Sequence, residues 1–367
     1  MKFTVSKDTL LIAVNTALKG IAASSRLPIL SGILLSAKEP YLTLQSTDLE
    51  ISIQDKIQAL IEEEGACVVP GKVFAQIIKS LPDANITFTL EDTVLLIDCE
   101  RAHFKLNTMS ADDFEEFPSY EINTSVQLPS QLLLDMVSKV KKAASTDKNR
   151  AILNGILLTV ENNTVRLVAT DSYRLAIADT NVETSSLESN FELIIPSNVF
   201  YDALSLAGEK EDVLIGETSN QIVFTFKNTV YIARKIEGNF PNYKQLIPEE
   251  SATKLSVSNN DLVDALHRVS VMAGQATPVK FSIDAQNQTL TLYAQTPDQG
   301  GAKESIPAEI EGENMDIAFN YSYVQDGLSY KDSESLDLEL QSSLRPGIFK
   351  SYGAINYLYL VMPVRIN

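Results

Sequence analysis

The feature that most constrains this chain is that it repeats. A short run with apolar residues at every second position, a polar cap and a helical apolar pattern recur three times. The first copy runs from Lys2-Phe3-Thr4-Val5-Ser6 into Leu10, Leu11, Val14, Ala17 and Leu18. The second runs from Ser125 to Ser130 and then into Leu132, Leu133, Met136, Val137 and Val140; the third runs from Lys254 to Ser258 and into Leu262, Ala265, Leu266 and Val269. A predicted hairpin follows each, from Ile33 to Leu44, from Ile156 to Leu167 and from Lys280 to Leu292, turning at polar residues. A threonine corner comes next, at Thr47, Thr170 and Thr296, with offsets of 123 and 126 residues.

Within each copy the scheme runs twice. Val68-Val69-Pro70 leads into Val73, Phe74, Ile77, Ile78 and Leu81; Ile194-Ile195-Pro196 into Val199, Phe200, Ala203 and Leu204; and Ala318-Phe319-Asn320 into Tyr323, Val324 and Leu328. The expected fold class is therefore α+β: three repeated domains, each with two helices and antiparallel sheets, at residues 1–124, 125–252 and 253–367. A length of 367 residues gives each domain enough chain for its own core. Asp48 and Asp171 stand at equivalent corners, and their recurrence favours a turn-forming side chain over a catalytic one.

Chemistry is hard to find. His103 and His267 have no zinc-like spacing, and the Gly65 to Lys72 stretch lacks the hydroxyl residue that a phosphate loop places after its lysine. The acidic groups Glu62 to Glu64, and Asp112 and Asp113 with Glu115 and Glu116, read as solvated loops. No catalytic residue, metal or cofactor is expected. The two cysteines, Cys67 and Cys99, cannot build a disulfide framework, no apolar run is long enough to cross a membrane, and Met1 to Ser6 has no leader pattern. A soluble cytoplasmic protein is expected.

The charge is segregated. The chain carries 30 Lys+Arg against 48 Asp+Glu, a net charge of −18. Yet the predicted helices 7–20, 71–80, 130–150, 197–207, 259–272 and 322–331 hold 11 Lys+Arg, 7 Asp and no Glu, so they sum to +4 and the remainder to −22. Glu is a good helix former, and its absence from all six points to a shared face toward a polyanion. The cations assigned to that face are Lys7, Lys19, Lys72, Lys79, Lys139, Lys141, Lys142, Lys148, Arg150 and Arg268. So few charges hold nucleic acid weakly, through phosphates and without sequence preference. Equivalent units contacting head to tail can close a ring, which retains a duplex by topology instead. A nucleic-acid hydrolase and an acidic scaffold that binds only proteins remain the rival classes.

Several dispersed motifs carry a resemblance. They are Met1-Lys2-Phe3-Thr4-Val5, Leu27-Pro28-Ile29-Leu30, Thr47-Asp48-Leu49-Glu50, Leu153-Asn154-Gly155, Ala169 through Ala176, Gly238 through Tyr243, and Val361-Met362-Pro363-Val364-Arg365. With these in order along its whole length, the chain resembles the bacterial DNA polymerase III β subunits, the replicative sliding clamps. The resemblance implies a non-catalytic, head-to-tail homodimer that encircles double-stranded DNA with its helices inward. It also implies replicative DNA polymerase, an ATP-driven clamp loader and other proteins with clamp-binding motifs as partners. Arg26 joins the DNA-facing set on this ground. The dimer contact would pair Ile78, Phe104 and Leu106 with Val271 and Met272.

A partner-peptide cleft would use Leu153, Leu175, Pro241, Leu246, Val361, Met362, Pro363 and Val364, edged by Thr170, Tyr173, Arg174, Tyr323 and Arg365. Tyr357 to Val364 reads as a final strand whose proline requires an edge or a strand end. An accessible edge is the expectation there.

Overall fold

The computed structural model describes residues 1–22, 27–182, 190–209, 211–273, 278–298, 300–328 and 334–365. Its described residues form six α-helices: α1 (Lys7–Ala17), α2 (Gly71–Ser80), α3 (Ser130–Val140), α4 (Ser197–Ala207), α5 (Asn259–Ser270) and α6 (Tyr321–Leu328). The start of the repeat is built alike in two copies. Ser6 Oγ accepts from Thr9 N at 3.4 Å to cap α1, and Ser258 Oγ accepts from Asp261 N at 3.3 Å to cap α5. Leu10, Val14 and Ala17 of α1, and Leu262, Ala265, Leu266 and Val269 of α5, are buried as the spacing predicts.

The chain divides into two compact units, Met1–Gln131 with Asp202–Lys235, and Leu132–Tyr201 with Ile236–Asn367. These units cut across the repeats because strands of different repeats pair with each other. In the first unit, an eight-stranded sheet joins Ile51–Gln58 to Thr229–Arg234, with Tyr231 opposite Ile53. A five-stranded sheet in the same unit ends on Ala102–Asn107. The core of this unit includes Phe3 stacked on Phe88 at 4.7 Å, with Phe74 and Ile78 from α2.

The second unit has a nine-stranded sheet, in which Arg174–Asn181 pairs with Asn356–Val361 and Leu175 lies opposite Leu360. Its four-stranded sheet ends on Gly300–Pro307, against which α5 packs. The three predicted hairpins are present, as Gly32–Lys38 with Tyr41–Thr47, Gly155–Glu161 with Thr164–Thr170, and Val279–Asp284 with Thr289–Thr296.

Two expectations need correction. The helix predicted over 130–150 stops at Val140, tightens into a 3-10 turn at Lys141–Ala143 and then leaves helical geometry. Ser145 Oγ accepts from Asp147 N at 3.1 Å and Asp147 Oδ1 accepts from Asn149 N at 3.0 Å, side-chain bonds that compete with a helical backbone. The final strand is also no edge. Asn356–Val361 is flanked by Arg174–Asn181 and by Gly347–Ser351, and Pro363 is tolerated because it lies beyond the strand end. The sixth predicted helix, 322–331, is described as α6 to Leu328, and residues 329–331 lie outside the described residues.

Candidate partner-binding and nucleic-acid sites

The corner that opens the strand Arg174–Asn181 is built by its own side chains. Thr170 Oγ1 donates to Arg174 O at 2.7 Å and accepts from Ser172 N at 3.2 Å, while Asp171 Oδ1 accepts from Tyr173 N at 2.8 Å and Arg174 N at 3.0 Å. The first repeat has the same device: Thr47 Oγ1 donates to Ile51 O at 2.8 Å, and Asp48 Oδ1 accepts from Glu50 N at 3.0 Å and Ile51 N at 2.8 Å. The recurring aspartates therefore form turns, as their repetition indicates. Ser172 and Leu49 hold the equivalent left-handed position, at φ 82° and 77°.

This corner delivers Tyr173 outward and Arg174 inward. Tyr173 is 59 % exposed and stacks on Tyr323 of α6, ring centroids 6.4 Å apart. The Arg174 guanidinium lies over the Tyr323 ring at 4.5 Å, with Nε donating to Asp171 Oδ2 at 3.0 Å and Nη1 to Asp326 Oδ2 at 2.7 Å. Burial opposes the Arg174 charge, but the Tyr359 hydroxyl and the two carboxylates outweigh it, so its pKa is raised above the ordinary guanidinium value. Met362 N donates to Tyr173 O at 2.9 Å and Val364 N to Ala318 O at 2.8 Å, so the chain after the last strand continues along this corner.

Met362, Val364 and Arg365 are exposed and Pro363 is half-buried. Pro241 and Leu246 are exposed on the segment whose Tyr243 packs with Leu175, Leu157 and Leu360. Four expected cleft residues are instead buried: Thr170, Leu175 and Val361 lie in strands inside the nine-stranded sheet, and Leu153 sits on the 3-10 turn Ala151–Asn154. Leu175 belongs to the core of the second unit, because alternate residues of a strand point to opposite faces.

A concavity of about 790 Å³ adjoins Tyr173, Arg174 and Tyr323 and is also lined by Lys141, Lys142, Lys148 and Arg150. The expected DNA-facing cations meet different fates. Lys72, Lys79 and Lys148 are exposed. Lys19 pairs with Asp202 at 3.1 Å, Lys142 with Asp326 at 3.5 Å, and Lys141 lies over the Tyr201 ring at 3.1 Å. Arg150 donates to Asp171 O at 3.0 Å and to Ser172 Oγ, bracing the corner. Lys7 is half-buried and donates to Leu81 O just beyond α2.

One assignment is corrected outright. Lys139 is 3 % exposed, its ammonium 5.5 Å from the centre of the Tyr357 ring, because it falls on the buried side of α3. Arg268 is exposed but committed to Glu304 through two hydrogen bonds. Arg26 lies outside the described residues.

At the expected dimer contact, Ile78 and Leu106 belong to the core of the first unit, since Phe74 and Ile78 are one helical turn apart on the face of α2 that meets the sheet. Phe104 is half-buried against that core, Met272 is half-buried and Val271 is 72 % exposed.

Sequence reasoning missed Asp326 and the second oxygen of Asp171. The i,i+3 spacing of Tyr323 and Asp326 on one helix was the available signal. No group of three or more His, Cys, Asp or Glu side chains that could hold a metal occurs among the described residues, and no helix described is long and apolar enough to cross a membrane.

Comparison with known proteins adds the wider context. The DNA polymerase III beta subunit matches in three consecutive pieces: its N-terminal domain at residues 1–118, its central domain at 127–242 and its C-terminal domain at 244–365. The chain is 29 % identical to the beta sliding clamp of Synechococcus elongatus, with 100 % of both chains covered. It is 30 % identical to that of Staphylococcus epidermidis, covering 100 % of this chain and 99 % of the relative. The DNA polymerase sliding clamp of Bacillus subtilis superposes with a TM-score of 0.92 at 28 % identity, and the DNA polymerase III beta subunit of Thermotoga maritima with 0.92 at 30 %, each covering 100 % of both chains.

Proposed function

The chain belongs to the DNA polymerase III beta subunit family, the bacterial sliding clamps, and on that premise we propose that two copies close head to tail into a ring that encircles duplex DNA and tethers the replicative polymerase. The family is a non-catalytic processivity subunit built of three α+β clamp domains. The observation that carries the reading is the succession, in order, of three clamp-domain matches at residues 1–118, 127–242 and 244–365. The domains are taken as residues 1–124, 125–252 and 253–367, the protein as cytoplasmic, and an ATP-driven clamp loader as the agent that opens the ring.

Two sheet edges support closure. Ala102–Asn107 ends the five-stranded sheet and Gly300–Pro307 ends the four-stranded one. An open edge offers a row of N–H and C=O groups, and pairing the two edges between copies removes both liabilities at once. Val271 and Met272 follow α5, which packs on the second edge, and they supply apolar contact there. Exposed cations of the assigned set, Lys72, Lys79 and Lys148 among them, support weak phosphate contact with retention by topology.

The surface around Tyr173, Arg174, Tyr323 and Met362 is read as the partner-peptide cleft, with Pro241, Leu246 and Val364 as apolar contacts. Met362 suits an adaptable surface for a linear motif.

The test is retention. Clamp loaded on closed circular DNA stays bound through gel filtration at raised salt, and linearising the circle releases it. Retention on linear DNA with free ends, or failure to be retained on circles in the presence of loader and ATP, overturns the ring.

A further inference from the structure

Asp326 lies on α6, outside the residues that the resemblance assigns. We propose that Asp326 is a positioning residue of the cleft: it fixes the Arg174 guanidinium against Tyr323, so that a partner peptide meets both groups already in place. The proposal rests on reading this surface as a peptide cleft.

Three observations converge on it. First, Asp326 binds two cations at once, accepting from Arg174 Nη1 at 2.7 Å through Oδ2 and pairing with Lys142 at 3.5 Å through Oδ1. Second, Arg174 is held from opposite sides. Asp171 takes Nε from the corner, Asp326 takes Nη1 from α6, and the Tyr323 ring covers a face at 4.5 Å. Nη2 takes part in none of these bonds. Third, α6 itself is seated so that this geometry follows. Tyr359, buried in the nine-stranded sheet, donates its hydroxyl to Tyr323 O at 2.8 Å and accepts from Arg174 Nη1 at 3.4 Å. A Cβ at Gly327 would overlap the Tyr359 ring, so only glycine lets the helix approach this closely.

A long arginine side chain left unrestrained surrenders rotamer freedom when it binds; one already fixed by two carboxylates and a ring does not. Asp326 thereby lowers the ordering cost of peptide binding without touching the peptide.

The experiment is a double-mutant cycle on the full-length protein, with calorimetric titration of a synthetic peptide bearing one Gln followed by aliphatic and aromatic residues. Asp326→Asn, which removes the carboxylate charge facing Arg174, is expected to weaken binding about tenfold. In an Arg174→Ala background the same change is expected to do nothing further, because the group it positions is gone. Asp326→Glu, which keeps the carboxylate, is expected to restore part of the affinity and guards against a folding defect in the Asn variant. Unchanged affinity in Asp326→Asn, or an equal loss with and without Arg174, overturns the positioning role. If the unaltered protein binds no peptide, the cleft reading itself fails, and this proposal with it.

Discussion

Arg268 grips Glu304 across the gap between α5 and the edge strand Gly300–Pro307, Nε to Oε2 at 2.9 Å and Nη2 to Oε1 at 2.6 Å. This bidentate pair staples the strand proposed to join a second copy to the helix behind it. The hydrogen bond from Arg268 holds the Glu304 carboxyl below its ordinary pKa. A depressed carboxylate contributes stability above its unfolded pKa and loses it as pH falls through the folded value. Wild type is therefore expected to melt above Glu304→Gln at neutral pH, with the gap closing as the pH drops through the carboxylate range. The effect is modest because the pair is partly solvated. Thermal melts of both proteins across that range check it, and a gap that widens in acid contradicts it.

Lysine burial separates DNA binding from packing. Replacing exposed Lys72 and Lys79 by alanine is expected to lower the salt dependence of binding to linear duplex by roughly 0.9 in the log–log slope for each phosphate that is no longer neutralised. Lys139→Ala is expected to leave that slope unchanged and to destabilise the fold by about 1–2 kcal/mol, since its ammonium lies over the Tyr357 ring in a buried setting. Salt titrations and denaturant melts on the same three proteins decide it.

Glycine at 327 is a packing requirement. Gly327→Ala drives a methyl into a tyrosine ring that is 1 % exposed and anchored by its hydroxyl. Overpacking of this kind costs about 1–3 kcal/mol, against about 1 kcal/mol that alanine contributes inside a helix. A net loss is expected, together with weaker peptide binding as α6 shifts. Gly353→Ala, where nothing lies within 4 Å, is expected to be neutral. Equal melting temperatures for the two variants would rule out the close approach.

Val271, 72 % exposed in the single chain, is the residue that best tests the proposed interface. Val271→Asp is expected to leave the melting profile of the monomer intact while shifting the sedimenting species from dimer to monomer, at a cost on the order of 2 kcal/mol at each of the two interfaces. Leu106→Ala, by contrast, is expected to lower stability, because Leu106 belongs to the core. A Val271→Asp protein that sediments as the wild-type dimer at every concentration would move the interface elsewhere.

The parts that could be read in advance are those set by short-range rules. Strand alternation, helix spacing, serine caps at Ser6 and Ser258, and the Thr-Asp corners at Thr47 and Thr170 each depend on residues within a few positions of one another. Repetition multiplied those local signals, so the α+β class and the three hairpins were plain in the sequence. It also carried the motifs that name the family.

What the sequence could not decide was the fate of each charge, because that depends on partners far along the chain. Arg174 finds Asp326 after 152 residues, and the Tyr357 hydroxyl donates to Lys139 O across 218. Side-chain type alone made Lys139 and Lys72 look equivalent, yet one is packed under a ring and the other faces solvent. The final strand likewise looked like an edge until Arg174–Asn181 of the second repeat paired with it on the side away from its own neighbour Gly347–Ser351. Local periodicity determines which elements form and which face is apolar; only long-range pairing, where packing and desolvation act together, decides which polar groups remain available to a partner.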